Sequence, residues 1–159
     1  MGVTTTAYSV EPKMMKKVRA DNENFAFIFG DCEEENEIWK VESYDFDKGI
    51  ETYIDIFREA GFNKTARNID SEYADLDVFD YGGYDIWAIP PSGLKAMCKE
   101  LANSTFEVLK AKNLSEVTDR RGDSLLDSEL ESYLSDIEGI KKFFDKTFEQ
   151  GNYLIFAEA

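Results

Sequence analysis

The stretch from Asp127 to Ala159 constrains this chain most, because it reads as one long amphipathic helix, a glycine stop and a closing strand. Leu130, Tyr133, Leu134, Ile137, Ile140, Phe143, Phe144 and Phe148 lay one apolar stripe along a helix of about 3.6 residues per turn. Glu131, Asp136, Glu138, Lys141, Lys142 and Asp145 fall between them and suit water. Ser128 with Glu131 fits a capping box, in which each side chain satisfies a backbone N–H left open at the helix start. Acids lead and lysines follow, the order the helix dipole favours. Gly151 supplies the left-handed residue that ends a helix. Tyr153-Leu154-Ile155-Phe156 is too apolar to lie in solvent and is predicted as an interior or half-covered strand. A last strand needs a sheet made from earlier residues, so residues 1–159 are expected to form a single domain.

With 159 residues the chain is the size of one ordinary domain, and folding at that length removes about 70% of the unfolded surface from water. A core therefore needs no disulfide or metal, and a hydrophobic fraction of 43% with 14% aromatics argues against disorder. Lys and Arg total 18 against 33 Asp and Glu, a formal charge of -15. A field of that sign repels nucleic-acid phosphates and anionic membranes; it favours a basic protein partner or simply keeps the protein soluble. Cys32 and Cys98 are too few for a disulfide framework, and no basic, apolar leader is visible, so a reduced, cytoplasmic protein is expected. No apolar run approaches the roughly 18 residues of a membrane span. The opening Met1-Gly2-Val3-Thr4-Thr5-Thr6 fits the N-myristoylation pattern, but β-branched residues ahead of Tyr8 and Val10 read better as a first strand.

Residues 2–10 are predicted as that strand, and Pro12 is placed to open a helix. This helix puts Lys13, Lys16 and Lys17 on one side and Met14, Met15 and Val18 on another; it is the one locally basic element. Asp21 to Asn24 reads as a turn or cap. Phe25-Ala26-Phe27-Ile28-Phe29 ends at Gly30, and its length fits a strand or a buried helix equally. The acids from Asp31 to Glu37 suit a solvated loop or helix start, and Ile38, Trp39 and Val41 begin another short element. Asp45 or Asp47 is placed to cap a helix reaching Ala60, with Ile50, Tyr53, Ile54 and Phe57 on one face and Gly61 as its stop. Asn63 to Tyr73 is predicted as an irregular connection. Leu76, Val78 and Phe79 start a strand, Tyr84, Ile86 and Trp87 belong to the next, and Gly82-Gly83 fits a two-residue hairpin turn. Ser92, after Pro90-Pro91, is placed to cap a helix that turns Leu94, Met97, Cys98 and Leu101 inward. Phe106 and Leu109 continue it or follow a kink near Asn103, and Lys112 to Asp123, centred on Arg120-Arg121-Gly122, is the most polar connector. The clearest strand pair is thus a hairpin, which favours an α+β fold with an antiparallel or mixed sheet packed by several amphipathic helices.

No histidine is present, which removes Ser-His-Asp and Cys-His catalysis and His-ligated zinc. Two distant cysteines do not complete a thiolate zinc site. Asp31, Glu33, Glu34 and Glu35 surround Cys32 and oppose its thiolate, so it makes a poor nucleophile, while Cys98 fits plain core packing. Asp75, Asp77 and Asp80 match a calcium loop only loosely, because the third acid is shifted and Ile86 stands where the bidentate Glu belongs. Alternating acids and apolar residues are what a half-exposed strand gives by default. Gly30 and Gly82-Gly83 lack the Lys and Ser/Thr of a phosphate cradle and sit among acids. No metal or cofactor is therefore expected, and no catalytic residue is assigned. Among 33 acids some pair falls close by chance, so a paired-carboxylate mechanism has no particular candidate.

One stretch suggests recognition. Asp80, Tyr81, Tyr84, Asp85 and Trp87 place aromatics and acids around the tight Gly82-Gly83 turn, and they are the candidate binding residues for a basic or sugar-like partner. The competing account is that Trp87 and one tyrosine are core and the turn is only a turn.

Several segments together resemble the YfbM-like family of bacterial proteins, domains without an assigned function. The resemblance runs from Met1-Gly2 through Tyr8-Ser9-Val10-Glu11-Pro12, Tyr44-Asp45-Phe46-Asp47-Lys48, Tyr81-Gly82-Gly83 and Ile89-Pro90-Pro91. It is closest in Leu130, Tyr133, Lys141-Lys142-Phe143-Phe144 and Gly151-Asn152-Tyr153-Leu154-Ile155. Where the family often has Trp-His after its Asp-Lys, this chain has Gly49-Ile50. The resemblance implies a single cytosolic α+β domain and brings no catalytic residues. Charge, size and the missing catalytic constellation point to a non-enzymatic binding protein, monomeric or homodimeric. An inhibitor- or immunity-type cover for a basic enzyme surface is one form of it. The rival is a small hydrolase or sugar-binding enzyme using carboxylates with Tyr and Trp in a cleft.

Overall fold

The computed structural model describes residues 4–30, 39–46, 49–71, 77–112, 114–119 and 121–159. Strands β1 (Thr5–Val10), β2 (Glu42–Phe46), β3 (Val78–Tyr81), β4 (Tyr84–Ile89) and β5 (Tyr153–Glu158) form one antiparallel sheet in the order β2-β1-β5-β4-β3. The closing strand is therefore the central one. Its side chains alternate between two covered faces: Leu154 and Phe156 enter one core, Ile155 and Ala157 the other. That double burial is why the segment reads as a continuous apolar run rather than an alternating one.

Helices α1 (Pro12–Ala20) and α2 (Phe25–Phe29), linked by a 3-10 turn at Asn22–Asn24, cover one face with Met15, Val18, Phe25 and Ile28. The other face carries α3 (Ile50–Glu59), α4 (Asn63–Ile69), α5 (Pro91–Leu101), α6 (Phe106–Lys110) and α7 (Asp127–Glu149). The α7 stripe buries Leu134, Ile137, Ile140 and Phe144, with Leu130, Tyr133, Phe143 and Phe148 partly covered at its margins. Gly151 ends α7 with φ 71°; the Gly151 N–H reaches Phe148 O at 2.9 Å and the Asn152 N–H reaches Thr147 O at 3.1 Å. This paired closure satisfies two orphan carbonyls and turns the chain directly into β5.

Several local expectations are corrected. The helix α7 starts at Asp127, and its cap is Leu126, whose N–H is held by Glu129 Oε1 at 3.1 Å; Ser128 lies inside the first turn. Asp45 is a β2 residue accepting from Thr6 Oγ1 at 2.9 Å, so it caps nothing; α3 begins after Gly49, whose φ of 93° suits glycine. Residues 63–69 are helical where a connection was expected, because the helix gets its cap from elsewhere. Glu100 on α5 accepts from Lys64 N at 3.1 Å, from Thr65 N at 2.7 Å and from Thr65 Oγ1 at 2.8 Å. Pro90, not Ser92, is the residue preceding α5. The ambiguous run Phe25–Phe29 is a helix, ended by Gly30 with φ 79°. The sequence expectations for Met1-Gly2-Val3, Cys32, the acids of 31–37, Asp47, Tyr73, Asp75, Leu76 and Arg120 fall outside the described residues. Among the described residues, no helix is long and apolar enough to cross a membrane.

Candidate functional site: an acidic recess beside the β3–β4 hairpin

Gly82 and Gly83, with φ of 54° and 82°, make the two-residue turn between β3 and β4. Both central residues with positive φ match a turn whose twist suits paired strands. The register pairs Val78 with Trp87, Phe79 with Ile86, Asp80 with Asp85 and Tyr81 with Tyr84. Side-chain alternation then divides the five candidate residues. Asp80, Asp85 and Trp87 lie on the face carrying α3–α7, and Tyr81 and Tyr84 lie on the face carrying α1 and α2.

Trp87 is only 2% exposed. Its Nε1–H donates to Asn68 O at 3.0 Å and its ring stacks on Phe156 at 5.2 Å. Tyr81 and Tyr84 stack on one another at 6.4 Å and pack on Phe29 at 5.7 and 5.0 Å, half-buried. Asp80 and Asp85 are exposed.

The sheet continues the acidic row. Asp85 pairs with Glu158 on β5, and Glu158 pairs with Thr5 on β1, so Asp80, Asp85 and Glu158 stand on three adjacent strands. Thr5 Oγ1 donates to Glu158 Oε2 at 3.4 Å. Burial raises the Glu158 carboxyl above its ordinary range; Glu51, Asp85 and Asp70 push the same way, and the Thr5 bond opposes them in part. Asp70 sits 3.6 Å from Arg58 Nη2. Among the described residues, no Lys or Arg forms an ion pair with Asp80, Asp85 or Glu158. A recess of about 200 Å³, lined by Ser71, Val78, Asp85, Ile86 and Trp87, opens beside this row. Val78 at its rim, on the edge strand β3, is 65% exposed.

Neighbouring groups are already committed. Arg19 Nη2 donates to Asp77 Oδ2 at 2.6 Å and its guanidinium lies over Phe79 and Tyr153 at 5.8 and 5.7 Å. That bond holds the Asp77 carboxyl below its usual range. Asp77 is thus spoken for, and among the described residues no group of three potential ligands is arranged around a metal position. Cys98 is half-buried, and burial together with Asp145 pushes its thiol up to about 12, so it carries no nucleophilic thiolate at neutral pH.

Sequence reasoning reached Asp80, Asp85 and Trp87 but missed Glu158, Glu51, Asp70 and Thr5, which are remote along the chain. The available signal was strand alternation: Glu158 is two residues beyond Phe156 and so shares its face.

None of the curated proteins matches this sequence significantly. Among solved structures, YfbM from Escherichia coli, a protein of unknown function, superposes with a TM-score of 0.61 at 13% identity, covering 99% of this chain and 100% of that one. At such identity the likeness is one of fold. Residues 1–157 match the model of a domain of unknown function, DUF1877, and the chain belongs to that family, as its YfbM-like segments led one to expect.

Proposed function

We propose that this protein is a non-enzymatic interaction protein that docks a basic segment of a partner protein on the acidic recess beside the β3–β4 hairpin, in a reduced cytoplasmic setting. The observation that carries this reading is exposed Val78 beside Asp80, Asp85 and Glu158, which form no ion pair with a Lys or Arg among the described residues, next to a recess lined by Val78, Asp85 and Trp87. A lysine or arginine side chain has both halves of that chemistry: an aliphatic stem for Val78 and the recess, and a cation for Asp85 and Glu158. The recess of about 200 Å³ falls below the roughly 300–1,000 Å³ of small-molecule pockets, which favours a side chain over a whole substrate. A charge of -15 speeds encounter with a basic surface and repels nucleic acid and anionic membranes. The narrowest form of the reading is an inhibitor- or immunity-type cover for a basic enzyme, acting as a monomer or homodimer.

The test is an affinity measurement with a short peptide of alternating lysine and leucine, followed by Trp fluorescence and amide chemical shifts. Binding is expected to shift Val78 and Asp85, to weaken at least about tenfold in Asp85→Lys, and to fade between about 50 and 500 mM NaCl. Binding that ignores Asp85→Lys and Val78→Asp alike would remove the recess from the function.

A further inference from the structure

The edge strand β3 is open along its backbone as well as acidic along its side chains. Antiparallel pairing turns the N–H and C=O of alternate residues toward the neighbouring strand and those of the residues between them away from it. The phase on β3 is fixed at both ends. Ala88 N donates to Asp77 O at 2.9 Å, and the two-residue turn at Gly82-Gly83 closes on the pair Tyr81 and Tyr84, so Asp77, Phe79 and Tyr81 bond to β4. Val78 and Asp80 therefore aim their backbone groups away from β4. In keeping with this, Asn22 Nδ2, in the 3-10 turn, donates to the Asp80 carbonyl at 3.2 Å. The Val78 N–H, the Val78 C=O and the Asp80 N–H have no partner among the described residues. Such a row is a template for one more strand. The side chains of the same two residues share the face of Asp85 and Trp87, where the recess opens. The other edge strand, β2, presents Glu42, Ser43 and Asp45 as its exposed side chains, none of them aliphatic.

We propose that the basic segment docks as an added antiparallel β-strand on β3, which rests on the docking reading above and gives it a geometry. Val78 exchanges both backbone bonds with one residue of the segment. The Asp80 N–H donates to the carbonyl of the residue two places earlier in it. Because the strands run opposite ways, the segment reads in a set order from N to C. A lysine or arginine stands opposite Asp80, one residue then faces the α1–α2 side, and an aliphatic residue stands opposite Val78. The cation meets Asp80 directly, with Asp85 one strand further in and Glu158 beyond it. The aliphatic residue covers the exposed Val78 side chain. Backbone bonds supply the affinity and the two side chains the selectivity. Charge names the occupant: a strand with an acid opposite Asp80 is repelled, and so is a second copy of this chain, at charge -15.

The experiment titrates the full chain with a blocked hexapeptide of threonine, lysine, threonine, valine, threonine and threonine, and with two N-methylated forms of it. One form carries the methyl on the valine amide, which donates to the Val78 C=O. The other carries it on the threonine just before, whose amide points away from β3. Binding is expected to slow hydrogen exchange at the Val78 and Asp80 amides. It is expected to weaken at least about tenfold for the methyl-valine form and to stay within about twofold for the other. Asp80→Lys, at an exposed position, is expected to weaken the parent peptide at least about tenfold. Equal affinity of the two methylated forms, unslowed exchange at Val78 and Asp80, or unchanged binding in Asp80→Lys overturns strand addition alone, provided Asp85→Lys and Val78→Asp still weaken the peptide. No binding of the parent peptide, or binding indifferent to Asp85→Lys and Val78→Asp, overturns the docking reading and strand addition together.

Discussion

Glu158 is a carboxylate placed where ionisation is unwelcome. It shares its face of β5 with Phe156 and Leu154, and the charges that act on it among the described residues, Glu51, Asp85 and Asp70, have its own sign. Its folded-state pKa therefore lies above the ordinary value of 4.5. The folded protein holds that proton more tightly than the unfolded chain does, so stability falls as pH rises through the unfolded value and stays reduced above the folded one. Glu158→Gln removes the penalty while keeping an oxygen for Thr5 Oγ1. Urea unfolding is expected to show the variant more stable than the parent at pH 7, with the difference vanishing at a pH low enough to protonate Glu158 in both states. At the same scale Trp87 shows why single residues mislead from sequence. An aromatic beside acids suggests recognition, yet its ring is buried against Phe156.

Two helices show how elements depend on each other. The helix α4 has no side-chain cap of its own, and Glu100 from α5 supplies one across space. This explains why residues 63–69 were illegible as a helix: the capping group stands 35 residues away from Thr65. Glu100→Ala is expected to cost about 1–2 kcal/mol, measured by thermal unfolding, since it strips a charged acceptor from two amides. In α7 the opposite case arises at Gly139, where a Cβ would meet the Tyr44 ring and its hydroxyl, each at 3.7 Å, ordinary contacts. Glycine inside a helix costs about 0.8–1 kcal/mol relative to alanine, so Gly139→Ala is expected to stabilise the protein by up to about that amount and to raise Tm by a few degrees. The α7–Gly151–β5 unit was legible because its signals are local: periodicity, a stop residue and an apolar run. The boundaries near Asp45 and Ser128 were not, because several acids and serines compete for each cap and only tertiary pairing decides among them.

For the whole molecule, an excess of 33 acids over 18 bases makes the compact state repel itself. Added NaCl up to about 0.5 M is expected to raise Tm by screening that repulsion, read by differential scanning calorimetry at fixed pH. If the proposed docking of a basic segment holds, the same salt weakens it, so stability and affinity should move in opposite directions. The α+β class and the closing helix and strand were readable in advance. The acidic row was not, because β4 and β5 are separated by more than sixty residues of chain and only their register brings Asp85 beside Glu158.

The placement of β5 in the middle of the sheet has a consequence for birth at the ribosome. The strands on either side of it, β1 and β4, are both made before it, and each waits with an edge of unsatisfied amides and carbonyls. Until residues 153–158 emerge, the sheet lacks its central strand and consists of two separate two-stranded pairs, β2-β1 and β4-β3, whose open borders invite neighbours on a polysome. Heavy negative charge along the nascent chain keeps such neighbours apart during that interval.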